Sequence, residues 1–310
     1  MADKPKITVL GSINMDLVVR CGKLPTPGET VIASQSAEIS GGKGANQAVA
    51  AAKAGGQVRM IGRVGDDTFG ETLKRRLGRE GVDCTHVKMT EKCASGLAVV
   101  AVEGSGENSI LVVPGANAKL SKDDVEEARE AIESADALLV QLEVPVPTVI
   151  AAMDIARKAG VKVILDPAPV PAFFPSDLFD VDIVCPNETE AIRLIGMRVN
   201  DLDSAKSAAF SLQGIGAKHV AITRGANGTA LLEGADFTDV QSFKVETVDT
   251  TAAGDAFAGA LAVHWSEGEP LKEAVRFANA AGALAVSRMG AQPGMATREE
   301  ILQLVESQRK

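Results

Sequence analysis

Short apolar runs alternate with helix-patterned stretches along most of this chain, and that alternation restricts the possible folds more than any other feature. The runs KITVL (6–10), VRMIG (58–62), ALLVQL (137–142), KVILD (162–166), DIVCP (182–186) and HVAIT (219–223) read as strands. Helical patterns fall at 44–54, 68–80, 121–134, 147–159, 188–195, 203–214, 254–266 and 270–287. Strands that are apolar on both faces need helices on both faces, so the expected fold is α/β with a doubly wound, mainly parallel sheet. Two regions break the rhythm. LVVR and TVIAS flank a Pro/Gly turn within 12–40, and GLAVVAVE (96–103) and NSILVVP (108–114) flank GSGE as a hairpin. Four strands without helices predict a small β-sheet lid of 12–40 and 96–115 on an α/β domain of 1–11, 41–95 and 116–310. The apolar face of such a sheet needs cover, which predicts closure over a ligand and pairing with a second copy of the chain.

Composition removes several functions. With 32 basic and 41 acidic residues, a net charge of −9, no tyrosine and one tryptophan, the chain has neither the charge nor the stacking groups expected of a nucleic-acid binder. No apolar stretch approaches the roughly 18 residues of a membrane span, and MADKPKITVLG reaches a strand too early for a signal peptide. A cytoplasmic location is therefore expected. Cysteines 21, 84, 93 and 185 lack paired CxxC spacing, which argues against structural zinc and for reduced thiols. His86, His219 and His264 lie away from the glycine-rich segments and read as structural.

Those glycine-rich segments carry the chemistry. DTTAAGDAF (249–257) sets two aspartates around small residues directly before a helical run. Small residues admit a ligand to the backbone, and helix-start N–H groups favour an anion. Asp255 is thereby read as taking a proton from a substrate hydroxyl beside a bound phosphate. SGGKGANQAVAAAKAG (40–55) lacks the Walker A spacing, because position 37 is Ala and position 44 is Gly. Gly42 gives a closely approachable turn instead, with Lys43 and Asn46 as donors. Asn14 and Asp16 follow the first strand and Glu143 follows ALLVQL, positions where α/β proteins gather ligands, although a solvated Asx turn or surface acid reads equally well there. In PNETEA (186–191), Asn187, Glu188 and Glu190 suit either helix capping or magnesium bound near phosphate. TRGANG (223–228) reads as a glycine turn between strands. The absence of GxSxG and GxGxxG motifs leaves a serine hydrolase or nicotinamide dehydrogenase without support.

Taken together, GSINMD, PTPGET, GGKGANQA, VGDDTFG, PGAN, QLE, DPAP, PNETEA, TRGANG, VDTTAAGDAF and GAQPG resemble the ribokinase, or PfkB-type, family of carbohydrate kinases along essentially the whole chain. The resemblance implies ATP-dependent phosphorylation of D-ribose at O5, with another pentose, deoxyribose or a nucleoside as the alternative acceptor. It implies Asp255 as general base and an anion hole at Ala252, Ala253, Gly254 and Asp255. The implied sugar contacts are Asn14, Asp16, Gly42, Lys43, Asn46 and Glu143. The implied nucleotide contacts are Asn187, Thr223, Gly225, Gly228, Gly254 and Asn279, with Glu190 linked to Mg2+ through water. A monovalent cation, K+, is implied at Asp249, Thr251, Ala285, Arg288, Gly290 and Gly294, mostly through backbone carbonyls. Three departures stand out: Ala252 in TAAGD where Gly is frequent, Gly294 where Ser is familiar, and Asn279 where His is often found. A homodimer through the lid is implied as well, and a sugar-binding regulator without catalysis ranks low because the GD pair is intact.

Overall fold

In a computed structural model, which describes residues 3–104 and 108–308, the alternation becomes a nine-stranded sheet with helices on both faces. The strands are β1 (Lys6–Leu10), β2 (Asn14–Cys21), β3 (Gln35–Gly41), β4 (Gln57–Gly65), β5 (Val87–Thr90), β6 (Gly96–Glu103), β7 (Asn108–Val113), β8 (Ala137–Val140), β9 (Lys162–Leu165), β10 (Ile183–Val184), β11 (His219–Thr223), β12 (Thr229–Glu233) and β13 (Asp236–Val240). The helices are α1 (Lys43–Lys53), α2 (Thr68–Arg79), α3 (Lys122–Glu127), α4 (Arg129–Glu133), α5 (Val146–Ala159), α6 (Glu188–Ile195), α7 (Leu202–Ile215), α8 (Ala253–Ser266), α9 (Leu271–Val286), α10 (Ala291–Gly294) and α11 (Arg298–Ser307).

The large sheet runs β13-β12-β11-β10-β9-β8-β1-β4-β5, and every pairing from β11 to β5 is parallel. Side chains alternate between its faces. Ile7, Val9, Ala137, Leu139 and Ile164 enter a core with residues of α1, α8 and α9, while Leu10, Leu138, Val140, Val163 and Leu165 enter a second core with α3, α4, α5 and α7. Each fully buried Leu or Ile stabilises by about 1.5–3 kcal/mol, so neither face tolerates a polar swap in these strands. From β1 the chain adds β4 on one side and later β8 on the other, leaving a crevice at the carboxyl ends of β1 and β8.

A separate four-stranded sheet, β3-β2-β6-β7, stands on that crevice. Its β2–β6 pairing is parallel and its other two are antiparallel. TVIAS forms no strand. The register Asn14↔Gly41 to Arg20↔Gln35 puts β3 just after that segment, so the strand feeds directly into the glycine turn before α1, and Ile32 is left 92% exposed. The hairpin turn at 105–107 lies outside the described residues. Two further expectations need correction. The helix expected over 121–134 is two helices, because the backbone turns at Ala128, whose N–H is shared between the carbonyls of Asp124 and Val125. The strand expected over 182–186 pairs only at Ile183–Val184, since Pro186 has no N–H for a ladder. β5, β13, α10 and α11 escaped the apolar pattern because they are short or half exposed.

Candidate active site

The crevice at β1 and β8 gathers residues far apart in sequence. Ser12 Oγ donates to Glu143 Oε2 at 2.5 Å, and the Lys43 N–H donates to the same oxygen at 3.2 Å. Gly42 makes this possible. Its φ is +88°, and a Cβ there would sit 2.7 Å from the Asn14 nitrogen and 2.9 Å from the Ser12 carbonyl. Asn14 Oδ1 accepts from Asn117 Nδ2 at 2.6 Å, and Asn117 is itself pinned by the Ile13 N–H at 2.9 Å. Asn14, Val112, Asn117, Leu142 and Glu143 line a cavity of about 370 Å³ under the small sheet. Among the described residues, buried Asp16 Oδ1 has no hydrogen-bond partner, an arrangement that favours an incoming hydroxyl donor.

Asp255 opens α8 and is buried at 4% exposure. Asn46 Nδ2 donates to its Oδ2 at 3.0 Å and Gln47 Nε2 to its Oδ1 at 3.1 Å. Gln47 Nε2 also donates to Asp166 Oδ2 at 2.7 Å, and Lys43 Nζ lies 3.8 Å from that oxygen. Burial pushes the Asp255 carboxyl up, opposed by Lys43 and the two amides. Burial also lifts Asp16 to about 7, with Glu143 and Asp255 adding to the rise. Asp166 reaches about 7 from burial too, because Asp255 and Glu190 work against the pull of Lys43. Burial works against the Lys43 charge, but Asp166, Asp255, Glu143 and Glu190 together outweigh it and raise its pKa. One ammonium therefore faces an excess of carboxylates. Such a site holds protons or receives its phosphate together with a divalent cation.

Lys43, Asp166, Asn187, Glu190, Ala252, Ala253, Gly254 and Asp255 line a cavity of about 160 Å³, large enough for a phosphate group. Thr223, Thr250, Ala253, Gly254 and Phe257 line both this cavity and one of about 700 Å³. The larger cavity is walled by Gly225, Gly228, Phe243, Val245, Asn279, Ala283 and Val286, a mainly apolar lining of the kind a flat heterocycle fills. The Asn279 amide is committed to Thr229 Oγ1 at 2.7 Å and to the carbonyls of Val240 and Gln241 at 3.1 and 3.2 Å. Asn187 and Glu190 form a reciprocal cap on α6, with bonds of 2.8 and 2.9 Å, so the structure realises the capping role and still leaves both at the phosphate-sized cavity. Ala252 has φ +60°, the left-handed shape that Gly adopts more readily. The Ala253 N–H makes a long 3.4 Å contact with the Thr250 carbonyl, and the helix-start donors of Gly254 and Asp255 follow it.

Beside this helix start, Asp249 accepts from the Thr251 N–H at 3.0 Å and from the Gly290 N–H at 2.9 Å. A Cβ on Gly294 would lie 3.3 Å from the Ala285 carbonyl and 3.9 Å from that of Arg288, so those carbonyls converge there. The Arg288 side chain turns away to pair with Glu300 at 2.6 Å. Oxygen donors of this kind suit a hard cation. Among the described residues, no group of three or more His, Cys, Asp or Glu side chains is arranged to hold a metal ion, and no helix is long and apolar enough to cross a membrane.

Of the sequence-derived residues, Lys43, Asn187, Glu190, Ala252, Ala253, Gly254 and Asp255 line the phosphate-sized cavity, Thr223, Gly225, Gly228 and Asn279 the larger one that adjoins it, and Asn14 and Glu143 the separate cavity under the small sheet. Asp16, Gly42, Asn46, Asp249, Thr251, Ala285, Arg288, Gly290 and Gly294 line none of the three. Reading the sequence missed Ser12, Gln47, Asn117, Gln141 and Asp166. Each sits inside or beside a quoted motif, and only its contact across the sheet marks it out.

The chain matches the pfkB family carbohydrate kinases over residues 4–298. It is 42% identical over 300 residues to the ribokinase of Haemophilus influenzae, covering 97% of this chain and 98% of that one. It is 36% identical over 295 residues to a deoxyribokinase of Salmonella typhi, covering 95% and 96%. The Arabidopsis thaliana ribokinase complexed with ribose and ATP superposes with a TM-score of 0.91 at 37% identity, over 98% of this chain and 99% of that one.

Proposed function

This chain belongs to the pfkB family of carbohydrate kinases, and on that premise we propose that it transfers the γ-phosphoryl group of ATP to the 5-hydroxyl of D-ribose. The observation that carries the reading is a buried carboxylate in the first turn of α8, Asp255, bordering a phosphate-sized cavity that shares a wall with a larger apolar one. Phosphoryl transfer needs mostly positioning and charge stabilisation, and this groove supplies both. Asp255 takes the proton from the attacking hydroxyl. The first N–H groups of α8, at Ala253, Gly254 and Asp255, stabilise the charge on the transferred group. Lys43 neutralises further charge, and Asn14, Asp16, Gly42, Asn46 and Glu143 orient the sugar. Thr223, Gly225, Gly228 and Asn279 border the nucleoside and Asn187 its phosphates. Glu190 would hold magnesium through water, and the ion would supply neutralising charge for the phosphates of ATP. Asp249, Thr251, Ala285, Arg288, Gly290 and Gly294 would hold a monovalent cation, K+, which would supply positive charge beside the anion hole.

The same reading extends to architecture. The small sheet, residues 12–40 and 96–115, acts as a lid over the sugar and excludes water from the transfer. Its exposed residues Leu111 and Val113, which share one face of β7, are the surface through which two copies pair. A cytoplasmic location fits the free cysteines and the supply of ATP. A deoxyribose acceptor is the second reading, supported by the similarity to a deoxyribokinase. ATP consumption measured with Mg2+ and K+ across ribose, 2-deoxyribose, fructose and adenosine, with product identification, tests the proposal. Ribose-dependent turnover to ribose 5-phosphate is expected. Preference for another acceptor overturns the sugar, and no turnover with any of them overturns the kinase.

A further inference from the structure

Gln47 is fully buried and lines none of the three cavities, yet it bonds both buried carboxylates of the site. Its amide has one arrangement that fits. Carboxylate oxygens of Asp255 and Asp166 lie on one side and accept from Nε2, so Oε1 faces the other way, where Gln141 Nε2 donates to it. Gln141 follows β8 directly, which anchors this chain of amides in the central sheet. The approach of the two helices is equally constrained. A Cβ on Gly259 of α8 would lie 2.7 Å from the Gln47 carbonyl and 2.7 Å from the Ala50 Cβ, so a glycine lets α1 and α8 come close enough for these bonds.

Resting on the phosphotransfer reading above, we propose that Gln47 is a positioning residue: its amide, locked from behind by Gln141, holds the Asp255 carboxylate in the orientation it needs as proton acceptor. Asn46 secures the other oxygen of Asp255, and its own Oδ1 accepts from Gln292 Nε2 at 3.3 Å. Asn46 also belongs to the sugar side of the site, so its replacement would mix two effects. Gln47 separates them.

Gln47→Met keeps length and apolar volume while removing the amide, and Gln141→Met leaves Gln47 in place with its lock removed. The charged groups facing Asp255 are Asp16, Lys43, Glu143 and Asp166, and all four are unchanged in both variants. In protein carrying 13C at aspartate carboxyls, the Asp255 signal is identified by its loss in Asp255→Asn. Gln47→Met is expected to move its titration to higher pH, since a donor to the charged form has gone. In kinetics, kcat for ribose falls by about tenfold or more, the ribose KM stays within about threefold, and the acid limb of the kcat profile moves to higher pH. Gln141→Met shifts the same quantities in the same direction by less. In an Asp255→Ala background, adding Gln47→Met changes residual turnover by less than about twofold. An unmoved Asp255 titration in a folded Gln47→Met chain overturns the proposal, as does a full-sized kcat loss that persists in Asp255→Ala or a loss confined to ribose KM. A titration shift in Gln47→Met, in a chain whose wild type phosphorylates none of the tested acceptors, keeps the positioning and removes the kinase reading instead.

Discussion

At Asp255 opposing influences are set against one another: burial favours the neutral acid, and Lys43 with two amide donors favours the carboxylate. In the proposed mechanism, that balance would keep a proton acceptor in a buried site. Asp255→Ala is expected to lower kcat by about 10²–10⁴ while ribose binding, read by calorimetry, stays measurable. Wild-type turnover in this variant would remove the general-base role. On the wall of the small cavity, Ala252 holds a left-handed φ of +60°. Glycine at such a position relieves strain, so Ala252→Gly is expected to stabilise by about 1 kcal/mol, seen as a rise of about 2 °C in Tm. A fall in Tm would mean that the surrounding turn already accommodates the methyl group. Both residues were legible as letters in a motif. The strain at Ala252 was visible as a departure from that motif, whereas the bonds of Asn46 and Gln47 to Asp255 were not visible.

Among the elements, the small sheet carries the proposed roles in access and pairing. β7 presents its residues alternately, with Val112 lining the sugar-side cavity and Leu111, 72% exposed, on the opposite face. A large apolar side chain that exposed on an edge strand marks an interface. Leu111→Asp is therefore expected to convert a dimer to a monomer in analytical ultracentrifugation, with the circular dichroism spectrum unchanged. A wild-type chain that is monomeric at micromolar concentration would remove the pairing. The strands of this sheet were legible where they alternate apolar residues, as in GLAVVAVE. β3 was misplaced because its polar residues belong to a strand defined by register against β2, and the apolar TVIAS beside it makes no ladder.

Across the whole molecule, the buried acids give stability a particular pH dependence. Asp16 and Asp166 titrate near 7 in the folded chain and near 3.8 when unfolded, so the folded state holds more protons between those values. Stability is then fully present below about pH 4 as far as these two groups are concerned, and it is lost as pH rises through 7. Glu300, held down to about 2 mainly by Arg288, works in the opposite sense, and so does Asp124, held low against burial by Arg63 and Lys88. Their stability is present above the ordinary carboxylate range and lost as pH falls. The ligand-free chain is expected to show its highest Tm between these regimes, near pH 5, and to lose stability towards pH 7.5. Asp166→Asn should flatten the neutral side of that curve in calorimetric scans. A curve that rises steadily to pH 7.5 would show that neither acid is protonated in the fold.

Read alone, the sequence determined the layered architecture, the glycine turns and the residue types of the chemistry, because hydrophobic period, helix starts and turn geometry are local properties carried by neighbouring residues. It reached Asn14, Asp16, Lys43, Glu143 and Asp255 through motifs at strand and helix ends. It could not show that Gln47 reaches across 119 positions to Asp166 and 208 to Asp255, or that Asn117 holds Asn14 from 103 positions away. Those contacts exist because β1 and β8 lie side by side at the crevice while α1 and α8 pack closely over them, and such proximity depends on chain topology and close packing.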